Sequence, residues 1–109
     1  REYADLTHQS DIIKYLVMLC KASNIKVVLS SFCYYNWNDS FESNKIQKGI
    51  KIENKLIKEL SERFKCNFVN QDKLIPKSDE YFVDSMHFTP QGMEKLSENF
   101  GKLIMGDFK

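Results

Sequence analysis

Ile25-Lys26-Val27-Val28-Leu29-Ser30-Ser31-Phe32 is a nearly unbroken apolar and β-branched run, interrupted only by one lysine and two serines. A strand covered on both faces reads this way, and such strands belong to parallel sheets flanked by helices. Upstream, from about Leu6 to Ala22, Ile12, Ile13, Leu16, Val17 and Cys20 recur at three- and four-residue spacing, which gathers them on one face of a helix. Asn24, a residue tolerant of the left-handed conformation, is the expected stop. Downstream, Cys33-Tyr34-Tyr35-Asn36-Trp37-Asn38-Asp39-Ser40 has no period and reads as a loop. A helix is predicted from about Ser43 to Phe64, with Ile46, Ile50, Ile57, Leu60 and Phe64 inward and a solvated Lys/Glu face outward. Phe68-Val69 is a short second strand, and Gln71 to Val83 an irregular connection. Thr89-Pro90 then supplies an N-cap and an N1 proline for a helix whose stripe is Met93, Leu96, Phe100, Leu103 and Ile104, with Gly106 as its stop.

Strands alternating with helices predict right-handed crossovers, a parallel sheet and an α/β layered architecture. Two strands make a poor sheet, however. Three helices over two strands leave the Val27-Val28-Leu29 strand with a bare edge, so the chain reads as part of a larger fold.

Composition narrows the function classes. The chain has 109 residues, 42% apolar and 13% aromatic, with sixteen Lys plus Arg against fifteen Asp plus Glu and a net charge of +1. That describes one packed domain over residues 1–109, without repeats or a Pro/Gly/Ser linker, and excludes disordered and collagen-like chains. Interspersed charge gives no concentrated basic surface, so no nucleic-acid partner is expected. No apolar run approaches the roughly 20 residues that span a bilayer, and no signal-peptide pattern follows Arg1. Cys20, Cys33 and Cys66 form no Cys-x-x-Cys pair; Cys20 and Cys66 are expected as small buried hydrophobes, and reduced thiols leave the compartment open. Two distant histidines and no cysteine pair offer no zinc spacing, so neither metal nor cofactor is expected.

The histidines separate cleanly. His8, among Thr7, Gln9 and Ser10 near a helix start, reads as an exposed, inert position. His87 lies three residues after Asp84 and immediately before the capped helix. In a tight turn that spacing brings the carboxylate to Nδ1, which fixes one tautomer, presents Nε2 as a base and stabilises the imidazolium. The bland alternative is a turn preceding a helix and nothing more. Its place, at the C-terminal side of an α/β unit where ligands bind in open parallel sheets, favours chemistry.

The segment Asp84-Ser85-Met86-His87-Phe88-Thr89-Pro90-Gln91-Gly92 resembles the last signature block of SGNH hydrolases, the GDSL-type esterases and lipases. That block reads Asp-x-x-His, an apolar residue, a small polar residue, Pro, any residue, Gly. The upstream order of helix, strand, loop, helix with Asn54-Lys55-Leu56, and short strand is also similar to that family's second half. The resemblance implies a flavodoxin-like three-layer α/β/α fold with a parallel sheet, of which only the C-terminal half is present. It further implies His87 as the general base that activates a serine and Asp84 as its orienter. The family's Gly-Asp-Ser block and its Gly- and Asn-bearing oxyanion blocks have no counterpart here. Asn36-Trp37-Asn38-Asp39 and Asn38-Asp39-Ser40 echo them only superficially, since too few helix-strand pairs follow and no glycine is available for the turn.

A His-Asp pair without nucleophile and oxyanion donors is not an esterase. The expectation is therefore an ester hydrolase acting through an acyl-serine intermediate, on a lipid, an acetylated sugar or a small ester. The N-terminal half would be missing, cleaved or carried on another polypeptide. The alternative is a non-catalytic α/β interaction or carbohydrate-binding module; a nucleotide-binding half-domain lacks a Gly-rich phosphate loop. Tyr34, Tyr35 and Trp37 are candidates for a sugar- or acyl-binding wall, or for aromatics packed under the loop. Met86 and Phe88 flank His87, Met86 as a pocket candidate and Phe88 as the core anchor of the turn. Ser30 and Ser31 lie inside the strand rather than at a strand-to-helix elbow, and are not read as nucleophiles.

Overall fold

The computed structural model describes the backbone of residues 2–106 and the side chains of residues 11–106. The expectation for the His8 side chain lies outside the described residues. The elements run α1 (Glu2–Ala22), β1 (Val28–Ser30), α2 (Phe41–Arg63), β2 (Asn67–Val69), α3 (Gln71–Leu74) and α4 (Pro90–Gly106). β1 and β2 pair in parallel, with Val28 opposite Asn67, Leu29 opposite Phe68 and Ser30 opposite Val69. A parallel pair joined by a long helix is the βαβ unit, and the fold is α/β. α2 packs on both strands and on α1, while α4 packs on β2 and α3.

Both long helices before the strands end with a residue in the left-handed region. Asn24 has φ 59°, and Ile25 N–H donates to the Cys20 carbonyl at 2.8 Å while Asn24 N–H donates to Lys21 at 3.1 Å. Lys65 does the same after α2 at φ 54°, with Cys66 N–H donating to Ser61 at 2.8 Å. Both residues carry a Cβ that crowds the carbonyl; asparagine's short amide compensates by bonding locally, whereas lysine adopts the conformation at a cost. Lys65→Gly is therefore expected to stabilise the fold by about 0.5–1 kcal/mol, read as a higher urea midpoint at unchanged slope. A lower midpoint would mean that the lysine side chain outweighs its backbone strain.

β1 is shorter than the apolar run that contains it. Only three residues are paired with β2; Ser31 N–H still donates to the Val69 carbonyl at 3.2 Å, and at Phe32 the backbone is held by a side chain instead. Ser31, buried, donates through Oγ to Asn70 Oδ1 at 2.9 Å and accepts from Asp72 N–H at 3.0 Å. Asn54 clamps Phe32 twice: its Oδ1 accepts from Phe32 N–H at 2.7 Å and its Nδ2 donates to the Phe32 carbonyl at 2.9 Å. An amide side chain here copies the two bonds a neighbouring strand would make.

The core comprises Val17, Tyr34, Ile57, Leu60, Cys66, Val69, Ile75 and Phe82. Helical periodicity over-predicted it. On α1 only Val17 of the predicted stripe is buried; Ile12 and Leu16 are exposed, Ile13 and Cys20 half-buried, because α2 covers a narrow strip of that helix. On α2, Ile46 is exposed, and Ile50 and Phe64 are half-buried. On α4, Met93 and Ile104 are exposed, Leu96, Phe100 and Leu103 half-buried, and the buried positions are Gly92 and Asn99. Asn99 is satisfied by donating through Nδ2 to Gln71 Oε1 at 2.8 Å, and Gln71, 0% exposed, donates through Nε2 to the Leu96 carbonyl at 3.1 Å. This pair bolts α4 to the end of β2, and its isolation from water makes it an exacting contact.

Candidate functional site

The segment after Ile75 folds back into a short loop that α4 leaves. Phe82 and Phe88 form an isolated antiparallel bridge, with Val83 N–H donating to the His87 carbonyl at 2.8 Å and Thr89 N–H donating to Tyr81 at 3.0 Å. Phe88 lies 5.1 Å from the Phe82 ring, and Phe82, 2% exposed, roots the loop in the core. Phe88 is thus the anchor read from sequence, half-buried rather than fully so.

Within that loop Asp84 organises everything. Its Oδ1 accepts from the Met86 and His87 backbone N–H groups at 2.9 and 2.8 Å, the self-bonded turn that aspartate forms readily. Both carboxylate oxygens also sit 2.9 Å from His87 Nδ1. A carboxylate is an acceptor only, so Nδ1 carries the proton and donates, leaving the Nε2 lone pair as the basic site. The Met86 N–H, then the His87 ring and His87 N–H, hold the Asp84 carboxyl below the ordinary carboxylate range, so it is ionised at neutral pH. The His87 side chain is 79% exposed and that of Asp84 is 54% exposed. An ion pair this open contributes about 0–1 kcal/mol to stability. Its geometry serves orientation.

The remaining positions of the block each have a mechanical task. Thr89 Oγ1 accepts from Gly92 N–H at 3.1 Å, the N-cap expected from sequence, and donates to the Glu80 carbonyl at 2.5 Å. Pro90 opens α4. Gly92 is required by space: a Cβ there would lie 2.1 Å from the Tyr81 carbonyl oxygen and 3.0 Å from Phe88 Cβ. Hence the glycine presses α4 against the loop that carries His87.

Other candidates fall away on geometry. Tyr34, 5% exposed, is a core residue, and Tyr35 packs 5.5 Å from Phe82, so two of the three loop aromatics serve packing; Trp37 alone is open, at 62% exposed. Met86, 54% exposed, flanks His87 on the surface. Burial pushes the Cys33 thiol up to about 11, against the opposing pull of Lys77, and raises Cys66 too, so neither is a thiolate nucleophile at neutral pH. The Ser31 hydroxyl is committed to Asn70 and Asp72, and Ser30 Oγ donates to the Ser31 carbonyl at 3.1 Å. Among the described residues no group of three or more His, Cys, Asp or Glu side chains assembles to hold a metal ion, and no helix is long and apolar enough to cross a membrane.

One contact escapes sequence reading. Tyr35 N–H donates to the Ser85 carbonyl at 2.9 Å, fastening the loop after β1 to the Asp84–His87 turn across 50 positions of sequence. A backbone bond of that range has no residue-type signature.

No protein-family model and no curated protein matches the chain. Among solved structures it is similar to a GDSL-like lipase from Bacteroides thetaiotaomicron VPI-5482, with TM-score 0.78 and 21% identity, over 92% of this chain and 52% of that one. At that identity the likeness speaks for the fold. The chain spans about half the length of that lipase and shares the α/β fold of that portion.

Proposed function

We propose that this chain is the C-terminal part of a single SGNH-type serine ester hydrolase domain of flavodoxin-like three-layer architecture. His87 is its general base and Asp84 the orienter. The nucleophilic serine and the oxyanion donors lie outside residues 1–109, in the N-terminal half of the same fold, in cis or as a separate chain. The observation that carries this reading is the imidazole held by Nδ1 at 2.9 Å from both Asp84 oxygens with Nε2 left open. In the assembled site Nε2 takes the proton of the serine hydroxyl as its oxygen attacks the ester carbonyl. The resulting imidazolium, stabilised by Asp84, then protonates the leaving alkoxide, and the reverse sequence with water releases the acid.

Two further features support a missing partner half. Ile12, Tyr15, Leu16 and Leu19 on α1 stand 47–64% exposed, and among the described residues β1 pairs only with β2. Apolar surface and an unpaired strand edge of this kind are what additional strands and helices cover.

Intact-mass spectrometry of protein from its native source, combined with an aryl-acetate hydrolysis assay, tests the reading. A longer polypeptide or a companion chain, with hydrolysis abolished by a serine-directed phosphonate, is the expected result. Hydrolysis by residues 1–109 alone, or native material with neither extension nor companion, would overturn it.

A further inference from the structure

The β1–α2 loop leaves its tryptophan, the only one in the chain, 62% exposed. A single exposed apolar side chain is ordinary on a slack loop. This loop is fixed on both sides of the ring. Before it, Tyr35 is bonded to Ser85, and Trp37 N–H donates back to the Tyr35 carbonyl at 3.1 Å. Asn36 Nδ2 donates to Asn44 Oδ1 at 2.7 Å and Gln47 Oε1 at 3.0 Å, while its Oδ1 accepts from Asp39 N–H at 3.1 Å. After it, Asn38 Oδ1 accepts from Ser43 Oγ at 2.7 Å and Ser40 N–H at 3.4 Å. These bonds hold the indole's backbone in place while its ring stays in water. Asn38 and Asp39 are exposed beside it, Asn38 bonding to the protein through its oxygen and leaving its amide nitrogen to solvent. The Tyr35–Ser85 bond lies two residues from Trp37 and two from His87.

We propose that Trp37, with Asn38 and Asp39, is a carbohydrate platform that takes the sugar ring of an O-acylated saccharide and sets specificity on the alcohol side of the ester. This rests on the hydrolase reading above. A pyranose has an apolar C–H face, which an indole plane covers, and a rim of hydroxyls that need both donors and acceptors. The Asn38 amide nitrogen donates and the Asp39 carboxylate accepts. An acyl chain needs a continuous apolar wall instead, and the sequence neighbours of Trp37 are Asn36, Asn38, Asp39 and Ser40.

Trp37 is the only tryptophan of residues 1–109, and the part of the native protein's emission change that is lost in Trp37→Ala reports binding at this ring without any turnover. The native protein is titrated with partially O-acetylated xylotetraose, unacetylated xylotetraose and methyl octanoate. The expected result is a saturable emission change with both saccharides and none with the octanoate. By calorimetry, Trp37→Ala weakens saccharide binding about three- to ten-fold, Trp37→Tyr recovers most of it, and His87→Ala leaves it intact. No saturable response to either saccharide, or equal affinity in Trp37→Ala, overturns the platform; His87-dependent ester hydrolysis persisting beside that failure leaves the hydrolase reading standing. Saccharide binding lost with Trp37 but accompanied by no His87-dependent hydrolysis supports the platform and removes the hydrolase reading.

Discussion

On the proposed hydrolase reading, His87→Ala lowers the kcat of the assembled protein by about 10⁶-fold and Asp84→Asn by about 10⁴-fold, close to 8 and 5.5 kcal/mol of transition-state stabilisation. The two substitutions act differently. Removing the imidazole removes the only group in the turn that accepts a proton through an open lone pair. Asparagine at position 84 keeps an Oδ1 to accept from Met86 and His87 N–H, so the turn persists. Its Nδ2, however, is a donor facing Nδ1, which drives the imidazole proton to Nε2 and leaves no base for the serine. Neither change costs much stability, since the side chains are 79% and 54% exposed and exposed substitutions stay within about 0.5 kcal/mol. Steady-state kinetics beside thermal melts separates the two effects: kcat collapses while Tm holds. Loss of activity matched by loss of fold would demote the pair to a structural turn.

Gly92→Ala is the largest stability effect expected. Helix propensity alone would have alanine stabilise α4 by about 0.8–1 kcal/mol. The structure reverses that sign, because the new Cβ would lie 2.1 Å from the Tyr81 carbonyl oxygen. That oxygen already accepts from Thr89 N–H, so neither backbone yields without breaking the bridge that shapes the His87 turn. A cost of about 3 kcal/mol follows, which at roughly 4–8 °C per kcal/mol lowers Tm by some 12–24 °C. Gly49→Ala is the internal control: nothing lies within 4 Å of a Cβ there, and the same substitution should raise Tm. Equal small increases at both positions would contradict the close approach.

Local signals were legible in the sequence wherever one residue decides them. Asn24 ended its helix, Thr89 and Pro90 began theirs, and Asp84 reached His87, because each depends on chemistry within a few residues. What escaped depended on distant partners. The apolar stripe of α1 looked continuous, yet only Val17 meets the core, since a helix face is buried only as far as its neighbours extend. Asn99 follows Ser97 and Glu98 in sequence, where a solvated position is expected, and is buried against Gln71, 28 positions away. Asn54 takes over from strand pairing at Phe32, with the Ser31 and Asn70 side chains bonded beside it, and no spacing rule announces this. Lys65 in the left-handed region was likewise invisible, because lysine is not chosen for that geometry.

The central claim, that His87 is the base for a serine outside residues 1–109, is tested most directly by phosphonate labelling of the native protein followed by tandem mass spectrometry of its peptides. The prediction is one labelled serine, upstream of Arg1 or on a companion chain, whose labelling falls by several orders of magnitude in His87→Ala. Labelling of a serine within residues 1–109, or equal labelling of wild type and His87→Ala, would contradict it.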